Sequence, residues 1–114
     1  MIKELEDEFI GISEVSGFKF KKLDFTDKGF LYEVMPDDTS RHYEVFERKL
    51  TPICIDFEAR KYSTTDFKVK YPKSNDFGVW AWTYLSPELA LNKLNNLPDE
   101  QERRENKKNS RKIL

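Results

Sequence analysis

A chain of 114 residues, 38% hydrophobic and 36% charged, is the size of one domain and buries about two-thirds of its extended surface around a single core. Its net charge of −1 and pI near 5.9 exclude a global attraction to nucleic acid or to an anionic membrane. The single cysteine, Cys54, excludes an internal disulfide, and no apolar run is long enough to span a bilayer or mark a leader, so a cytoplasmic location is expected.

With nine Phe, five Tyr and two Trp, the core must be largely aromatic. In "MIKELEDEFIGI", Ile2, Leu5, Phe9 and Ile12 recur at spacings of three, four and three, which predicts a short N-terminal helix with its acids on the other side. Phe18 and Phe20 then alternate in one phase and Leu23 and Phe25 in the other, so the next strand shifts register near Lys21 and Lys22 through a bulge. "TDKG" at 26–29 has turn chemistry, with Asp27 able to cap and Gly29 able to take a positive φ. Phe30, Tyr32 and Val34, then Tyr43 and Val45 beyond the "MPDDTSR" turn, continue an antiparallel meander. Past Pro52, Ile53, Ile55 and Phe57 alternate with Cys54 and Asp56, as in another strand or one continuing past an edge kink. "EARKYSTT" reads either way, whereas "DFKVKYP" alternates Phe67, Val69 and Tyr71 with Lys68 and Lys70, which suits an edge strand.

"VWAWTY" predicts a last strand with Trp80, Trp82 and Tyr84 on one face. Ser86 then offers an N-cap, Pro87 the first helical position and Glu88 a favourable first-turn charge, while Ala90, Leu91, Leu94 and Leu97 form an apolar stripe. The fold class expected is α+β: one antiparallel sheet of five to six strands, a short N-terminal helix and a C-terminal helix packed on one face. A single domain over residues 1–97 is followed by a polar, basic helix or tail over 98–114.

Two features bear on binding. Alternating aromatics on an open strand stack bases, but the amphipathic helix after Tyr84 needs an apolar face to cover, which makes Trp80 and Trp82 core residues. The tail carries Arg103, Arg104, Lys107, Lys108, Arg111 and Lys112, which fit a nucleic-acid backbone in a weakly sequence-specific way.

For catalysis the supply is thin. His42 is the one histidine, Cys54 sits in an apolar alternating segment, and no serine or cysteine has a base partner by spacing. Pro36 and Asp37 with Asp66 and Lys68 formally match the split acid-plus-lysine pattern of restriction-like nucleases, yet the first pair is explained by its turn. No catalytic, cofactor-binding or metal-binding residue is assigned.

"HYEVFERK", "YPKSNDFG" and "AWTYLSPELALNKLN", in a match covering roughly residues 42–97, resemble small uncharacterised proteins encoded by tailed bacteriophages and prophages. In that group a YEV strand precedes a P-S-N-x-FG loop, an AW-x-Y strand and an E-x-A-x-x-K-x-N helix; here Lys73 interrupts the proline-serine step. The resemblance implies a phage origin and assigns no activity. The order of FG turn, tryptophan strand and helix is also similar to the WGR domain, a DNA-end-binding module, although Ala81 and Trp82 stand where that domain has Gly-Arg.

The function expected is that of a small non-enzymatic protein-binding accessory factor, phage-encoded and acting on a host or phage protein. Its contact residues are expected on an exposed edge: Tyr62, Lys68, Lys70 and Tyr71. The alternatives are a nucleic-acid-binding protein using the basic tail and an inhibitor of a bacterial defence system. An open strand edge permits a homodimer.

Overall fold

The structure, a computed structural model, describes residues 1–98, and among these eight strands and one α-helix succeed one another. The strands are β1 (Ile2–Lys3), β2 (Glu8–Ile10), β3 (Lys19–Phe25), β4 (Gly29–Met35), β5 (His42–Glu47), β6 (Leu50–Asp56), β7 (Lys61–Val69) and β8 (Ala81–Tyr84). The helix α1 spans Pro87–Asn95. Five strands form an antiparallel sheet in the order β2-β3-β4-β5-β8. The other three form a second sheet, β1-β7-β6, in which β1 lies parallel to β7.

Helix α1 starts where its capping chemistry says it should. Ser86 Oγ accepts a hydrogen bond from the Leu89 amide at 3.4 Å, with Pro87 in the first turn. Its buried residues Ala90 and Leu94, with Leu97 just beyond, pack on Leu31, Tyr43 and Val45 of the five-stranded sheet. Gly29 permits this closeness. A Cβ there would stand 2.2 Å from the Phe46 carbonyl oxygen and 2.5 Å from Leu97 Cδ1, so the glycine supplies room and not the positive φ expected of it.

The opposite face of the same sheet carries Phe20, Phe30, Tyr32, Val34 and Phe46, covered by Val69, Tyr71, Phe77 and Trp80. Tyr71 is the hub. Its ring meets Phe46 at 4.7 Å, and Phe20 and Tyr32 each at 5.3 Å between centroids. Its hydroxyl donates to Glu44 Oε1 at 2.7 Å, and Glu44 Oε2 lies 2.8 Å from His42 Nε2. Burial, with the Glu44 carboxylate beside it, pushes the Tyr71 phenol well above its usual range.

The predicted N-terminal helix does not form. Residues 1–10 run as an extended strap from the small sheet to the large one, giving backbone bonds to distant strands. The Phe67 amide donates to the Met1 carbonyl at 2.9 Å, and the Lys22 amide to that of Asp7 at 2.7 Å. Tyr32 OH donates to the Glu6 carbonyl at 2.6 Å, and Phe9 stacks on Phe20 with centroids 4.6 Å apart. A helix would have stacked Glu4 on Glu8 one turn apart, a like-charge repulsion; extended, Glu4 instead meets the Arg48 guanidinium, which holds its carboxyl below the usual range.

The expected α+β fold, a five-stranded antiparallel sheet with the C-terminal helix packed on one face, is present, and a separate three-stranded sheet accompanies it. One further expectation is corrected. Trp80 and Trp82 lie on opposite sides of the large sheet, because Gly78 at φ 90° turns the chain and β8 begins only at Ala81. Trp80 is buried in the aromatic cluster, while Trp82 packs on the helix side with Lys93 Nζ 4.0 Å above its ring. The bulge expected near Lys22 is present between Lys22 and Asp24. The segment assigned to residues 98–114 as a tail, apart from Pro98, lies outside the described residues.

Candidate functional site

The β6–β7 hairpin leaves the body of the protein. Its base, where Leu50 faces Val69 and Pro52 faces Phe67, is anchored by Val69 in the aromatic cluster. Beyond it the register breaks twice. Between the Pro52–Phe67 and Cys54–Tyr62 pairs, β7 carries extra residues at 63–66; Ser63 Oγ ties them by accepting the amides of Thr65 at 3.2 Å and Asp66 at 2.8 Å. Between the Cys54–Tyr62 and Asp56–Lys61 pairs, Ile55 is the extra residue on β6. Such bulges redirect a ribbon, and here they separate an anchored base from a free tip.

Every residue from Cys54 to Tyr62 is exposed. The apolar members are open to a degree unusual for their type: Phe57 85%, Ile55 69% and Tyr62 54%. Around them stand Asp56 at the end of β6, Glu58 and Arg60 in the turn and Lys61 at the start of β7, and among the described residues none of these four makes an ion pair. Asp56 Oδ1 accepts the Ala59 amide at 3.1 Å and so closes the turn. Arg60 completes it at φ 53°, a left-handed conformation in which glycine or asparagine costs less.

The outer edge of β6 is interrupted as a site of strand addition. The Lys70 amide donates to the Lys49 carbonyl at 2.9 Å across the Leu50–Val69 pair, so the backbone groups of Leu50 and Pro52 point away from β7. At Pro52 that edge has no donor. The other side of β7 carries β1 at Phe67 and Lys68.

Of the contact residues expected from the sequence, Tyr62 is on the tip and Lys68 is exposed at the base. Tyr71 is only partly exposed, its ring packed against the aromatic cluster, and Lys70 Nζ sits 5.7 Å from the Trp80 ring. Nor is β7 an edge strand, since it lies between β1 and β6. Phe57, Ile55 and Arg60, which are exposed on the same tip, were not among the expected contact residues. The available signal was a turn, "DFEAR", that holds neither glycine, proline nor asparagine. The six tail cations from Arg103 to Lys112 lie outside the described residues.

The acid-plus-lysine pattern is not assembled. Asp37 accepts the amides of Thr39 and Ser40 in the β4–β5 turn, while Asp66 in the small sheet pairs with the Met1 amine at 3.2 Å. Among the described residues no three His, Cys, Asp or Glu side chains gather as metal ligands, and no helix is long and apolar enough to cross a membrane. A shallow depression beside β3 is lined by Asp7, Lys22, Asp24 and Phe25 among others, and its Lys22 is held by Asp7 at 3.1 Å and by the Leu5 carbonyl. Comparison with family models, curated proteins and solved structures returned no match.

Proposed function

We propose that this chain is a small non-enzymatic accessory factor, phage-encoded, that binds a host or phage protein through the tip of the β6–β7 hairpin. One observation carries the reading: nine consecutive exposed residues combine Ile55, Phe57 and Tyr62 with four charges that make no ion pair among the described residues. Isolated exposed apolar residues are ordinary on a protein surface, but an aromatic-bearing ribbon standing clear of the body fits a contact element. A bacterial defence enzyme is one protein such a tip would serve to occupy.

The test is affinity capture from a bacterial lysate, with and without nuclease treatment, using the full chain and its Phe57→Asp variant. The reading expects a protein retained after nuclease treatment and lost with Phe57→Asp. Retention that depends on intact nucleic acid and ignores Phe57 overturns it.

A further inference from the structure

Resting on that reading, we infer that the protein taken by the hairpin tip is a second copy of this chain, joined to the first about a two-fold axis through residues 54–62. The charge order of the tip argues for it. Asp56 and Glu58 lie on the β6 side of Ala59 and Arg60 and Lys61 on the β7 side, Asp56 opposite Lys61 in register, and none has an ion-pair partner among the described residues. A partner surface of one sign would attract two of these charges and repel the other two. A two-fold that lays β6 of one copy over β7 of the other sets the acids of each against the bases of its mate, because an isologous contact matches residue i to j and j to i. The same overlay covers Phe57 and Ile55, which the chain itself leaves open.

Area sets the strength. Nine residues of exposed ribbon offer on the order of 700 Å² per copy when both sides are covered, near the roughly 800 Å² per partner of a standard interface. One side alone gives about half of that, so the two tips wrap around each other. Pro52 shapes the mode: with no donor at that position, the outer edge of β6 is interrupted there, which disfavours one continuous sheet through the two copies and favours a contact between side chains.

Sedimentation equilibrium of the full chain from about 1 μM to about 1 mM tests this, the range in which an interface of such size dissociates. The expected result is a mass rising from 13.6 kDa toward twice that value. Phe57→Asp should weaken association at least tenfold while its circular dichroism, and its melting temperature at concentrations where both proteins are monomeric, stay unchanged. Glu58→Lys and Arg60→Glu should each be monomeric alone, and mixing the two should restore a dimer, since the mixed pair is again complementary on both halves. A wild type that remains at monomer mass at the top of the range overturns the inference, as does a dimer indifferent to Phe57→Asp or a mixture that does not pair. The lysate capture separates the two levels: a monomeric wild type that still loses its captured protein with Phe57→Asp defeats the second copy and leaves the tip as a contact surface. Loss of both results defeats the tip as well.

Discussion

The uncovered half of the large sheet and the hairpin tip both face water, and they meet it in opposite ways. Helix α1 packs on β4, β5 and β8, leaving β2 and β3 bare on that face. There Glu8, Lys21 and Glu33 stand in register across three strands, and Arg41 adds an ion pair to Glu33 at 3.6 Å. Alternating charges make a bare sheet self-sufficient. At the tip the charges lack partners within the described chain and the large side chains are aromatic or branched. The bare face meets water through charges paired in register beside the exposed Ile10, whereas the tip meets it through Ile55, Phe57 and Tyr62 beside charges with no ion pair among the described residues.

The largest effect expected from this contrast compares two phenylalanines. Phe46→Ala empties a fully buried site between Phe30, Tyr71 and Trp80 and should cost about 3–5 kcal/mol in denaturant unfolding, whereas Phe57→Ala should change stability by less than about 0.5 kcal/mol. A large loss at Phe57 would mean that the tip belongs to the core after all. Next comes Tyr71→Phe, which deletes the hydrogen bond to Glu44 and should cost about 1.5–3 kcal/mol near neutral pH. Its pH signature follows from burial. The folded phenol ionises above its ordinary value of 10.0, so wild-type stability is intact below that pH and falls as the pH rises toward the raised value; Tyr71→Phe should flatten this alkaline decline.

Smaller effects sharpen the contrast. Lys21→Glu would set three acids side by side on the bare sheet and should cost about 0.5–1 kcal/mol, an effect reduced by salt. Arg60→Gly should raise stability by about 0.5 kcal/mol, because the left-handed turn no longer strains a side chain, while it reduces self-association. Gain in one assay and loss in the other separates a contact residue from a purely structural one.

Local chemistry made several elements legible in the sequence. Ser86-Pro87 announced the helix, alternation announced β4 and β5, and the phase change at Leu23 announced a bulge. The strap was misread because its apolar spacing suits a helix while its true partners, Phe20, Tyr32 and Phe67, are remote in sequence. Trp80 was placed beside Trp82 because period-two counting runs straight through the turn at Gly78. The tip escaped notice for a related reason. Ile53, Ile55 and Phe57 form a buried-strand pattern, and only the break in register beyond Pro52 carries Ile55 and Phe57 out into water.

The strap also orders events during folding. Ile2 cannot pair until Phe67 exists, a separation of 65 residues, whereas β3, β4 and β5 are joined by short turns and close on neighbours already made. The opening residues are thus seated late, as a clasp drawn across sheets that have already formed. Replacing Glu4 by alanine, which removes the ion pair to Arg48, should hasten unfolding and leave the refolding rate almost untouched.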